Sequence, residues 1–216
     1  MIKMVVLLGL VMISNSALWA GTIVKMQNKD EFTSIIADGH LARLQMPDAE
    51  YAIVDYKKNK VKIVNPTKKQ VTVLTIKNIN PRNDSNAVNI SINKLGAGEV
   101  VAGYETQKYR YFANGKMCGV IYGSQAAYES QGIKELFSAV KILMKKQYAL
   151  LGGFASLVDV CTLADMQVGK YVATIGVPMR TEKNGSIESE VISIKIDVSL
   201  PADVFTIPAA YKTITM

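Results

Sequence analysis

The chain has 216 residues, 49% of them apolar, and carries 25 Lys and Arg against 18 Asp and Glu for a formal net charge of +7. That length and apolar content suffice for one domain with a full hydrophobic core. The lysines fall largely in turn sequences (Lys57, Lys58, Lys60, Lys68, Lys69) instead of alternating with aromatic residues, which argues against a nucleic-acid groove.

The first twenty residues read apart from that core. Met1-Ile2-Lys3 is a short positive start, Met4 to Ile13 is an unbroken apolar run, and Ser14 to Ala20 closes it with small and polar residues. This is the layout of a secretory signal peptide, with the cut expected after Ala20. The competing reading, a membrane anchor, needs about twenty apolar residues to cross the bilayer. No cysteine follows the run, so no lipid anchor is expected. The reading is residues 1–20 as signal peptide and 21–216 as a single domain, soluble in the periplasm or outside the cell.

In chain order, Thr22 to Met26, Phe32 to Ile36 and His40 to Met46 read as strands, the last with Leu41, Arg43 and Gln45 on one face. Ala52-Ile53-Val54 and Val61 to Val64 read as a hairpin around Lys57-Lys58-Asn59-Lys60, and Val71 to Ile76 as a further strand. Pro81 to Ala87 reads as a loop. Strands resume at Val88 to Ile92, Glu99 to Ala102, Thr106 to Phe112 and Val120 to Tyr122, with Asn114-Gly115 as a tight hairpin turn.

The period then changes. Ile133, Leu136, Phe137, Val140, Leu143 and Met144 recur at helical spacing, with charged residues on the opposite face. Tyr148 to Met166 reads as a second helix, apolar on nearly every side, with Gly152-Gly153 marking a break or close approach. Tyr171 to Val177 and Glu188 to Ser199 read as strands joined through the Asn184-Gly185 turn. The last of these alternates strictly between an apolar and a polar face. Leu200 to Tyr211 is a short, turn-rich tail. The expected class is α+β, a curved antiparallel sheet with a helical insert on its concave face.

Little in the chain carries chemistry. His40 is the single histidine, and a hydrolytic triad needs a histidine beside a nucleophilic serine in a suitable turn, which is missing. Zinc-type sites want several His or Cys at short spacing, so no metal or cofactor is expected. Asp159 and Asp165, six apart, read as the rim of the apolar helix, with a carboxylate pair for acid–base work as the minor alternative. Tyr104, Tyr109, Tyr111 and Tyr122 read as core-rim tyrosines before a ligand-lining cluster. Cys118 and Cys161 lie in the exported part, where an oxidising compartment favours one disulfide. Two buried free thiols are the alternative. No catalytic residue is assigned.

Three segments carry a family resemblance. Ile35 to Gln70 includes a D-x-x-K-x-K strand pattern running from Asp55 to Pro66. Gly103-Tyr104-Glu105-Thr106-Gln107-Lys108-Tyr109 gives G-Y-x-x-x-K-Y, and Phe205 to Tyr211 gives F-x-I-P-A-x-Y. Together they resemble a bacterial periplasmic family of unknown function, similar in fold to the LolA/LolB lipoprotein carriers. The resemblance implies a half-open sheet curled around helices, with an apolar interior that in the carriers holds acyl chains. The expectation is therefore a non-enzymatic protein carrying a lipid or acyl chain against Leu151, Phe154 and Val158, its basic surface facing an anionic membrane or an envelope protein. The alternative is an envelope interaction or structural module with a filled core.

Overall fold

The computed structural model describes residues 20–29, 31–46, 48–74, 88–151 and 157–215, with side chains for all of these except 146–151. Residues 1–19, the expected loop at 81–87 and Phe154 lie outside them.

Among the described residues twelve strands form one curved sheet. The first six are β1 (Ala20–Asn28), β2 (Glu31–Ala37), β3 (Leu41–Gln45), β4 (Tyr51–Asp55), β5 (Lys60–Asn65) and β6 (Gln70–Leu74). They run as an antiparallel meander, each paired with the next. A second antiparallel series comprises β7 (Ile90–Ala97), β8 (Gln107–Ala113), β9 (Lys116–Ser124), β10 (Val177–Lys183) and β11 (Ser186–Ser199). The two series meet where β1 pairs with β11, Ala20 opposite Ser199. Finally β12 (Lys212–Thr215) adds to the far edge of β6, the one parallel pairing in the described sheet.

Turn chemistry explains the tight hairpins. Asn114-Gly115 and Asn184-Gly185 take left-handed φ of 50°, 81°, 51° and 76°, the paired values that a two-residue hairpin turn demands. In the β4–β5 turn, Asp55 Oδ1 accepts from the Lys58 amide at 2.8 Å while Asn59 takes φ 48°.

Helices cover one face. The helix α1 (Gln125–Glu129) follows β9 directly, capped by Ser124, whose side chain accepts from the Ala127 amide. Next come α2 (Ile133–Leu151), α3 (Val160–Val168) and, after a 3-10 turn at Gly169–Tyr171, α4 (Val172–Ile175). None of the described helices is long and apolar enough to cross a membrane.

The helical period read at Ile133, Leu136 and Leu143 is the buried stripe of α2. With Ala139 it packs over β2, β3 and β4, against Ala37, Ala42, Ala52 and Val54. Three alanines on the strands and one on the helix let the backbones approach closely, so the interior beneath α2 is filled. The α3 helix lies over β8 and β9, its Cys161 and Ala164 packed with Tyr109, Tyr111 and Ile121.

The opposite, outer face of β4 is also buried. Tyr51 and Ile53, alternating with the inward Ala52 and Val54, join Val64 and Val71 under Ile207 and Tyr211. The tail Leu200–Tyr211 is thus a strap across the outside of the sheet. Arg43 Nη1 donates to the Val204 carbonyl at 3.1 Å while its guanidinium lies 3.8 Å above the Tyr51 ring.

Four local expectations are corrected. The apolar stretch Tyr148 to Met166 is not one helix: α2 ends at Leu151, and Asp159 begins α3 as its N-cap, accepting from the Cys161 amide at 2.9 Å. Tyr171 to Val177 is helical turn through Ile175 and strand only from Val177, because α4 must dock on β9. There the Ile175 carbonyl occupies the space a Cβ on Gly123 would fill, and Gly176 turns the chain back at φ 78°. Glu99 to Ala102 forms only an isolated bridge, Val101 to Tyr104.

Alternation in β11 also fails. A register shift opposite Lys25 and Met26 makes Ile192 the extra residue of a bulge, so Val191 and Ile194 both join the core while Ile192 stays 44% exposed.

Leu136 of α2 is fully buried against the sheet. Leu136→Ala is therefore expected to cost about 2–5 kcal/mol of unfolding free energy, measured by urea titration. A loss below ~1 kcal/mol would show the α2 interface to be loosely packed.

Candidate functional site

The densest set of polar contacts between a helix and the sheet holds α3. At its N-terminus Asp159 pairs with Lys116 of β9 at 2.9 Å, and that hydrogen bond, followed by the one from the Cys161 amide, holds the Asp159 carboxyl below its ordinary range. One turn in, Cys161 is joined to Cys118 of β9 by a disulfide. Further along, Asp165 accepts from the Tyr111 hydroxyl at 2.7 Å through Oδ1 and from Lys183 Nζ through Oδ2. Strands β8, β9 and β10 each contribute one polar anchor, and β9 the disulfide as well, to a helix of nine residues.

The local sequence explains the convergence. Asp159 and Asp165, six apart, stand at the start of α3 and nearly two turns beyond it, with Cys161 between them. Strand alternation brings Tyr111 and Tyr109 to the same face of β8, and Cys118 and Ile121 of β9 join them there through the bulge at Tyr111 and Phe112. Asp159 and Asp165 serve as helix anchors, not as a facing carboxylate pair.

Tyr111 is fully buried, and burial first, then the hydrogen bond to Asp165, pushes its pKa far above the ordinary tyrosine value. No substrate reaches its hydroxyl, so the Tyr111–Asp165–Lys183 set is a structural network. Tyr109 shares that apolar cluster. Tyr104 packs at the edge of the α2 core, and Tyr122 lies on the outer face between Lys108 and Arg180 at 5.0 and 5.4 Å. The four tyrosines do not converge on one cavity. Arg180 itself bridges Glu99 and Glu190, tying the 98–106 loop to β10 and β11.

Of the residues expected to line a ligand site, Leu151 closes α2, and Val158 is half-buried one residue before the cap of α3. Between α2 and α3, Leu157 is 81% exposed, the most exposed large apolar side chain among the described residues. Sequence reading passed over Leu157 because it treated 148–166 as one helix, where a leucine counts as core. The partnership of Asp165 with Tyr111 and Lys183 left no local signal, since it joins residues 54 and 18 positions apart. Among the described residues no group of three His, Cys, Asp or Glu side chains is arranged to hold a metal ion.

Two outcomes test the clamp. Replacing both Cys118 and Cys161 by Ala is expected to lower stability by about 3–4 kcal/mol, as for any bridge closing a loop of this length. The second test follows from tyrosine ionisation. Burial raises the pKa of Tyr111, and likewise of Tyr56, in the folded chain, whereas an unfolded tyrosine ionises near its ordinary value of 10.0. The unfolded state alone sheds these protons above that pH, so the stability they contribute is complete below about pH 10 and falls as pH rises. Tyr111→Phe is expected to cost about 1–2 kcal/mol at pH 7 and to make the alkaline loss shallower, read from urea midpoints between about pH 8 and 11.5. An unchanged alkaline slope would refute the assignment.

Among curated proteins none matches the chain. Among solved structures, one described as "Structure of PNGF-II in P21 space group" is similar at 13% identity and a TM-score of 0.45, over 91% of this chain and 32% of that one. A second, "Structure of PNGF-II in C2 space group", is similar at 11% identity and a TM-score of 0.45, over 91% of this chain and 31% of that one. The chain spans less than a third of the length of either. The family comparison covers most of the chain, from the turn before β3 to the end of the strap: the protein belongs to the family described as domain of unknown function DUF4412, which it matches over residues 40–211.

Proposed function

We propose that the chain is an exported, periplasmic, non-enzymatic protein that binds an apolar, lipid-like ligand at the 151–158 segment, on a sheet of the half-barrel kind found in the LolA/LolB carriers. The observation that carries this reading is Leu157, 81% exposed beside the half-buried Val158, immediately before the helix most firmly clamped to the sheet. An apolar side chain held out in water from a rigid mount gains from any acyl chain laid against it, about 0.8 kcal/mol per methylene buried. Leu151 and Phe154 complete the apolar segment in sequence. Lys141 and Lys145 are exposed on α2, the nearer ~9 Å along the helix axis from Leu151, and suit an anionic head group. Residues 4–13 supply the export signal.

The packing under α2 favours a second reading, an envelope interaction module. Ile133, Leu136 and Ala139 are fully buried against the sheet, so that part of the interior is core. The two readings separate by experiment. Delipidated protein mixed with phosphatidylglycerol vesicles or palmitate is expected to retain one lipid per chain in native mass spectrometry. Leu157→Asp together with Val158→Asp is expected to reduce retention at least tenfold while leaving the urea midpoint nearly unchanged. No retention by the unaltered chain would sink the carrier reading in favour of the filled-core module.

A further inference from the structure

We propose that the strap together with β12, Leu200 to Thr215, is an exchangeable element, and that the outer face it covers is a docking site for the same segment of a second copy of the chain. The site lies on the face of the sheet opposite the helices and is independent of the ligand reading above.

The first observation is an asymmetry of burial. The face beneath the strap depends on it, since Tyr51, Ile53, Val64 and Val71 are at most 6% exposed under its cover. The strap itself contains no buried residue. Its partly exposed apolar residues include Val204, Phe205, Ile207, Tyr211 and Ile214, of which Ile207 and Tyr211 pack on that face. A lifted strap therefore leaves an apolar strip and the free edge of β6 in water, a surface that recruits an extended apolar chain.

The second observation is where the holding contacts fall. Past Leu200, which lies against Gly21 of β1, the contacts that hold the strap are with β3 to β6. These are the Arg43 to Val204 hydrogen bond, the Ile207 and Tyr211 packing, the Lys212 amide to the Lys69 carbonyl at 2.9 Å, and the β12–β6 ladder. None of these requires the strap to come from the same chain. The third observation is reach. From Leu200 to β12 the path crosses six strand spacings, ~29 Å, while the stretch from Leu200 to Tyr211 extends to ~40 Å. The surplus is taken up in turns closed by Val204 to Pro201, Thr206 to Asp203 and Tyr211 to Pro208 hydrogen bonds. Opening those turns frees length without touching the sheet.

The occupant that fits this strip in register is the strap of another copy, and reciprocal exchange gives a closed two-fold dimer that repeats the strap-to-sheet contacts on β3 to β6.

The test uses the unaltered chain. Equal amounts of isotopically heavy and light protein are incubated together at high concentration, then treated with an amine-reactive crosslinker. Lys212 lies beside Lys69, so the crosslink between them reports whose strap occupies the site. Mixed heavy–light Lys212–Lys69 crosslinks are the expected result, formed several-fold faster in Arg43→Ala, which lacks the tether to Val204. Crosslinks exclusively within one isotope, in both proteins, overturn the proposal.

Discussion

The sheet depends on one pairing, β1 with β11. Each of the two antiparallel series is assembled from consecutive strands, through short connections except where the helical insert lies between β9 and β10. What makes them a single sheet is the seam between the strand at residues 20–28 and the strand at 186–199. Closing so long a loop costs only logarithmically more than closing a short one, but the cost falls on one contact set and must be met there. The seam meets it with length: β11 is fourteen residues long, and Val24, Met26, Val191 and Ile194 face the same core across it. Two register shifts along the seam bend it, so the place that unites the sheet is also where it acquires curvature.

With the seam in place, the helical layer has a floor. The two long helices are held in different ways. Among the described side chains, burial keeps α2 down, as alanines beneath it set a close approach. A disulfide and three polar anchors hold α3, because a nine-residue helix buries too little to hold itself. Fixing α3 also fixes the end of the 151–158 connection, so the exposed Leu157 is presented from a rigid base. Rigidity at the mount lowers the ordering cost of whatever binds there.

Much of this was legible in the sequence because much of it is local. The Asn-Gly turns, the Asp55-to-Lys60 hairpin and the Ile133-to-Leu143 stripe each carry their structure within about ten residues, where periodicity and turn chemistry act. The failures are places where distant residues decide. Tyr171 to Ile175 is rich in β-branched residues, yet it turns helically so that the Ile175 carbonyl reaches β9 at Gly123, where no side chain stands in the way. Ile192 looks like a core residue by parity, and only the partner strand across the seam creates the bulge that turns it outward. Asp159 reads as a charge on an apolar helix, although it is the cap that starts a new one. As for the tail, the motif Phe205 to Tyr211 was visible, but not that it lies across five strands to deliver a sixth partner to the edge.

Where the strands sit in the chain also sets the order in which the sheet can form. A ribosome releases β1 first and β6 early, but β1 waits for β11 and β6 waits for β12, both within residues 186–215. Until that last stretch emerges, the first meander exists with one strand edge open on each side and its outer apolar face bare. A growing chain of this protein therefore keeps this sheet incomplete until residues 186–215 have emerged to close both edges of the first meander.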